Sequence, residues 1–129
     1  MEALAATALG TALVDLDDES AVLVDLDPPI PRRLELGLPL LVAADAAGAR
    51  VVAVVERRPP LLLSDDAGTT WREAGGGLPA GTAVAIDPDD VDRILVAAGE
   101  RLYLSESGGL FWRRIEVELP TITAVAFVA

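Results

Sequence analysis

The chain lacks five residue types that carry much of protein chemistry, because cysteine, histidine, lysine, asparagine and glutamine are all absent. Without cysteine there is no disulfide or thiolate nucleophile, and without histidine there is no imidazole base or imidazole metal ligand. The absence of lysine removes Schiff-base chemistry, so that all ten cations are arginines. We therefore predict a protein that is not an enzyme and that holds no cofactor or metal.

Long hydrophobic runs are also missing. The longest, 38–44 and 51–55, are far short of the ~20 residues that a membrane-spanning helix needs. Glu2 stands where a secretory signal would carry a cation. We therefore expect a soluble, cytoplasmic protein with no membrane partner. The formal net charge of −11 argues against nucleic acid as a partner, since phosphate binding depends on clustered cations.

An internal repeat organises what is present. The segments 64–71 and 105–112 share serine, glycine and tryptophan at matching positions, 41 residues apart. Each is followed by arginine and then by a Leu-Pro pair, and a third copy of this tail occupies 32–39, so that the Leu-Pro pairs recur after 40 and then 41 residues. This period predicts a single domain of three units at 1–39, 40–79 and 80–120, followed by a closing strand at 121–129.

Each unit contains four short runs of β-branched residues, leucine or alanine, bounded by aspartate, glycine and proline, which is the pattern of β-strands. Four strands in about 40 residues are typical of a propeller blade, which buries its faces only against its neighbours. We therefore predict an all-β propeller of three four-stranded blades. The predicted strands are 3–7, 13–16, 22–26 and 32–36; 40–44, 50–55, 60–63 and 71–74; and 82–86, 93–97, 101–104 and 112–117.

The stretch Ser64-x-Asp66-x-Gly68-x-Thr70-Trp71 resembles the Asp-box, or BNR repeat, of sialidases, sortilin-type propellers and the photosystem II assembly-factor group. The second copy departs from the family pattern at two positions. The resemblance implies a structural role on the outer rim: side-chain oxygens accept hairpin amides, a glycine has positive φ and a tryptophan inserts between blades. The residues of the second copy are Ser105, Ser107 in place of aspartate, Gly109, Phe111 in place of threonine, and Trp112.

Other candidate sites have simpler structural interpretations. Tyr103 and Arg101 share a strand face and superficially suggest a sialidase-like centre, but we expect Tyr103 to pack between sheets. The acidic clusters at 87–92 and 15–19 suggest calcium; the first lacks the glycine and glutamate of an EF-hand loop, and both are predicted to be turns. The arginine pairs are interpreted as edge or turn charges, with 32–33 and 113–114 placed in outer strands and 57–58 in a turn.

Three blades leave two uncovered flanks, and the segment 121–129 restarts the repeat. The simplest closure is a homodimer with six blades, in which each terminal strand pairs into the first blade of the partner and competes with 3–7 for the innermost position. A fragment of a longer propeller, or half of a heteromeric one, is the alternative.

Fold analogy suggests a binding or assembly scaffold, with a possible protein partner and no specified ligand. A degenerate sialidase-like glycan-binding protein or hydrolase would display an arginine cluster at the channel mouth. A structural relic without a ligand would have a channel lined only by alanine, valine and threonine.

Overall fold

A computed structural model describes residues 1–128 and shows three four-stranded antiparallel sheets, with no helix in that range. This confirms the all-β prediction and the grouping of strands in fours. The terminal sheet contains β1 (Glu2–Thr7), β2 (Gly10–Asp15), β3 (Ser20–Val24) and β12 (Ile122–Phe127). The flanking sheet contains β4 (Leu41–Ala47), β5 (Arg50–Val55), β6 (Leu61–Ser64) and β7 (Arg72–Ala74). The central sheet contains β8 (Ala83–Asp87), β9 (Asp90–Ala98), β10 (Arg101–Ser105) and β11 (Arg113–Ile115).

The flanking and central sheets follow the chain in simple order, β4-β5-β6-β7 and β8-β9-β10-β11. Each predicted strand of the second and third units is present, with shifts of a few residues at the ends. These strands combine apolar runs with short turns, so that successive strands pair as hairpins.

The terminal sheet differs from the prediction, because its order is β12-β1-β2-β3. The strand expected at 32–36 is absent, and β12 supplies the fourth strand instead. The prolines of the segment 28–31 explain part of this result, since proline has no N–H to donate to a sheet ladder. β12 pairs antiparallel with β1 of its own chain and takes the edge position, which makes 2–7 the second strand.

The central sheet is buried on both faces. Toward the terminal sheet it presents Leu95, Leu102 and Leu104, which pack against a core that includes Ala3 and Val14. Toward the flanking sheet it presents Ile94 and Val96, together with Val84 and Ile86 of β8. The three sheets therefore lie in the order terminal, central, flanking, with an apolar core between each adjacent pair.

The inner strands of the sheets lie close together, since β8 contacts both β4 and β12. Small side chains allow this approach: the matching stretches 82–85 and 123–126 both read Thr-Ala-Val-Ala. A hydrogen bond from the amide of Ile122 to the carbonyl of Gly99 joins β12 to the central sheet. Residues 1–128 include no helix long and apolar enough to cross a membrane.

Candidate functional site

The first serine hairpin, which joins β6 to β7, is held by its own polar side chains. The Ser64 hydroxyl accepts hydrogen bonds from the amides of Asp66 at 3.2 Å and Gly68 at 2.8 Å. It donates to one carboxylate oxygen of Asp66 at 2.7 Å, and that oxygen also accepts the Thr70 amide at 2.8 Å. The other carboxylate oxygen accepts the Thr70 hydroxyl at 2.6 Å. Both oxygens of Asp66 are thus engaged inside the hairpin.

These hydrogen bonds perturb the acidity of Asp66. Donation from the Thr70 hydroxyl, then from the Thr70 amide and the Ser64 hydroxyl, lowers the pKa of the Asp66 carboxyl to about 2. Hydrogen bonds to a carboxylate stabilise its charged form. Asp66 therefore stays ionised through the physiological range and acts as a fixed acceptor for the hairpin.

The second serine hairpin, between β10 and β11, repeats the arrangement. Ser105 accepts the amides of Ser107 at 3.3 Å and Gly109 at 2.9 Å. The Ser107 hydroxyl accepts the Phe111 amide at 2.8 Å, as the carboxylate of Asp66 accepts the Thr70 amide. The indole N–H of Trp112 donates to the Gly109 carbonyl at 3.1 Å. A serine thus replaces the aspartate without changing the path of the chain.

Backbone angles show the same correspondence. Ala67 and Gly68 have φ values of 59° and 92°, and Gly108 and Gly109 have 65° and 91°. Each hairpin also donates an amide to the start of the second strand in its sheet, from Ala67 to the Ala49 carbonyl and from Gly108 to the Asp92 carbonyl. Two successive left-handed residues therefore stand at the same position in both hairpins.

The tryptophans that end the two hairpins also occupy equivalent places. Trp112 is partly buried against the core between the central and flanking sheets. Trp71 is partly buried against the opposite face of the flanking sheet. Both rings therefore point away from the sheet that follows their own along the chain. The hairpins lie between the third and fourth strands of the flanking and central sheets, and their residues do not line the groove formed by the inner strands.

A groove of about 490 Å³ runs along the inner strands. A volume of this size suits a small molecule. Most of the lining consists of alanine, valine, threonine and isoleucine from β4, β8 and β12, and the end of β12 adds Phe127. The charged lining residues are Arg32, Arg33 and Asp45.

Asp45 is the polar centre of this groove and joins the inner strands of two sheets. One carboxylate oxygen accepts the amide of Ile86 on β8 at 2.8 Å. The other accepts the amide of Ala46 at 2.9 Å and a guanidinium N–H of Arg32 at 3.1 Å. The same nitrogen of Arg32 donates to the Ala46 carbonyl at 2.7 Å. The Asp45 side chain is 16% exposed, so this ion pair is partly shielded from water.

The arginine pair at 32–33 is not in an outer strand, contrary to the sequence prediction. It belongs to the irregular segment that leads to the flanking sheet, and both residues line the groove. Arg33 makes no hydrogen bond or ion pair with any residue in the range 1–128, whereas its neighbour Arg32 is paired with Asp45. The Arg33 guanidinium can therefore bind a ligand in the groove. The three prolines before it could have indicated an irregular segment, but nothing in the repeat pattern indicated where that segment lies.

The acidic clusters form turns. Asp87 accepts the Asp89 amide at 2.9 Å, and Asp90 accepts the Asp92 amide at 3.1 Å. Asp15 accepts two amides of its own turn in the same way. The part of the chain that the structure describes holds no group of three or more acidic side chains arranged for a metal ion. Tyr103 is partly buried against the core between the central and flanking sheets.

Comparisons with protein-family models, with curated proteins and with solved structures found no match to this chain.

Proposed function

We propose that this chain is a non-catalytic binding module, built as three consecutive blades of a β-propeller, and that the groove along its inner strands binds a small anionic molecule. The blade assignment is supported by the equivalent hydrogen bonds and φ values of the two serine hairpins. It is also supported by three sheets that pack face to face in sequence. A second copy of the chain supplies the other half of a six-bladed ring.

Arg33 carries the proposal of an anionic ligand. It lines the groove, and within residues 1–128 it has no carboxylate or carbonyl partner. Its neighbour Arg32 is held in place by Asp45, which stiffens the segment that presents Arg33. A guanidinium above an apolar wall of alanine and valine suits a ligand with a carboxylate at one end and an apolar body.

A second candidate ligand class is an acidic sugar. The adjacent arginines in the groove favour it, because paired guanidinium groups are the feature expected of a glycan-binding relative. The charged lining also argues against a relic without a ligand, for which we predicted alanine, valine and threonine alone.

Calorimetric titration with three probes tests the proposal: hexanoate, N-acetylneuraminate and hexylamine. Hexanoate and hexylamine share an apolar body and differ in the sign of the charge. We expect hexanoate to bind and hexylamine not to bind. N-acetylneuraminate binding in place of hexanoate would select the sugar-binding function.

The matched variants are Arg33→Met and Arg57→Met. Arg57 is an exposed arginine outside the groove, so its replacement changes the net charge by the same amount. A hydrogen bond to a charged group contributes about 1.5–3 kcal/mol, so Arg33→Met should weaken binding by about tenfold or more. Equal losses in the two variants, or no binding of either anion to the wild type, would overturn the proposal.

A further inference from the structure

Each sheet has a forward face, turned toward the next sheet in the order flanking, central, terminal, and a rear face on the other side. The strand registers align the forward faces of the central and terminal sheets residue by residue, through the matching stretches 82–85 and 123–126. In the flanking and central sheets these faces are buried against the next sheet. Their cross-strand rows are Val52-Leu63-Arg72 and Val54-Leu61-Ala74 in the flanking sheet, and Leu95-Leu104-Arg113 and Ala97-Leu102-Ile115 in the central sheet.

The forward face of the terminal sheet has the same apolar character. Its equivalent rows are Leu4-Leu13-Val22 and Ala6-Thr11-Val24. Val22 is 61% exposed, and Leu4 and Leu13 are partly exposed, whereas the matching leucines of the central sheet are at most 1% exposed. Within residues 1–128, no further sheet packs on this face.

The rear face of the flanking sheet carries a hydrophobic cluster on which no second sheet packs within residues 1–128. Ala53, Val55 and Leu62 lie on it, and within residues 1–128 the hydrophobic side chains that pack against them are those of Leu36, Leu38, Leu41 and Trp71. Two of these four residues, Leu38 and Trp71, have counterparts that lie in the cores between packed sheets. Leu78 and Leu119, which like Leu38 precede a proline, lie between the flanking and central sheets and between the central and terminal sheets. Trp112, the counterpart of Trp71, packs between the central and flanking sheets.

We infer that the forward face of the terminal sheet in one copy packs on the rear face of the flanking sheet in a second copy. The chain already contains this interface twice, and the two faces on which no other sheet packs within residues 1–128 are the two halves of a third example. Two-fold symmetry forms the contact twice and arranges six sheets in a ring. The groove then becomes a channel shared by both copies. The inference rests on the proposed propeller and specifies which surfaces close it.

Light scattering on the full chain tests the contact with one variant for each face. Leu13→Glu places a charge on the forward face at a partly exposed position equivalent to the buried Leu104, and Leu36→Lys places the opposite charge on the rear face while its aliphatic stem still covers the sheet. We expect the wild type at twice the chain mass of 13.4 kDa, and each variant at the mass of one chain. A mixture of the two variants should recover the double mass, because one contact keeps both native faces and the other joins opposite charges.

Leu110→Glu is the matched control, since Leu110 is 68% exposed in a hairpin outside both faces. It should leave the double mass unchanged. Circular dichroism of each variant verifies that the β-structure is intact. A wild-type mass of one chain, or a dimer that survives Leu13→Glu, would overturn the contact. The Arg33 titration is read separately, so that loss of the dimer and loss of ligand binding are distinguishable.

Discussion

The reciprocal exchange of Ala67 and Gly108 tests the equivalence of the two serine hairpins most directly. The two residues occupy the same left-handed position, with φ values of 59° and 65°, but only the second is glycine. A residue with a Cβ in this conformation is strained by about 1–2 kcal/mol, because the Cβ approaches the carbonyl oxygen. The first hairpin therefore carries a local strain that the second does not.

Ala67→Gly should stabilise the protein. Relief of strain contributes about 1–2 kcal/mol, and the greater freedom of glycine in the unfolded chain offsets about 0.4–1 kcal/mol of it. The net gain is roughly 0.5–1 kcal/mol, which raises Tm by about 2–4 °C in a domain of this size. Gly108→Ala should destabilise by at least the same amount. Its new Cβ would also lie 3.1 Å from a carboxylate oxygen of Asp92 and 3.2 Å from a guanidinium nitrogen of Arg50.

The free energy of unfolding is measured by heat and by urea for both variants and for the control Ala80→Gly. Ala80 is exposed and does not have positive φ, so its replacement should destabilise by about 0.4–1 kcal/mol through the unfolded state alone. The reasoning is refuted if Ala67→Gly behaves like Ala80→Gly, or if Gly108→Ala is as stable as the wild type. Either result would mean that the hairpins do not share a conformation.

Two further predictions concern acid stability and packing between sheets. The folded pKa of Asp66, about 2, lies below the ordinary value of 3.8. The ionised carboxylate therefore stabilises the folded protein fully at pH values above the unfolded pKa, and this stabilisation is lost as pH falls through about 2. Unfolding measured across this range should show Asp66→Asn less stable than the wild type at pH 7, with a difference that shrinks as pH falls toward and below 2, whereas Ser107→Ala should show a constant deficit. Gly81→Ala should lower stability by about 1–3 kcal/mol in urea unfolding, because its Cβ would lie 2.9 Å from a methyl carbon of Val54 between two sheets. Gly76→Ala, with open space and no positive φ, should be neutral or stabilising, and equal losses at both glycines would contradict the packing argument.

Much of the local structure could be predicted from the sequence, because it depends on neighbours along the chain. The run Arg93-Ile94-Leu95-Val96-Ala97 and the turn at Gly99 indicate a strand and a hairpin by pattern alone. The recurrence of serine, glycine and tryptophan after 41 residues marked two hairpins with matching hydrogen bonds. These features require no knowledge of which sheets meet.

The candidate groove could not be predicted in this way. Arg32 and Arg33 matched the tail of the third unit, and by that match they belonged in an outer strand. The structure instead places them beside Asp45, in a segment without regular structure. Sequence similarity between units indicates which residues are equivalent, but it does not indicate which sheet edge is free to accept a strand.

The amino-acid sequence by itself determined the strands of the flanking and central sheets and the two serine hairpins, since apolar runs and turn chemistry act over a few residues. Only the tertiary structure decided that β12 pairs with β1 and that the arginine segment borders the inner strands. The physical reason is that an open sheet edge accepts any strand of suitable pattern. β12 lies beside β1 because its Ile122 and Val125 side chains are buried in the core between the terminal and central sheets, and that core is formed by residues distant from one another in the chain.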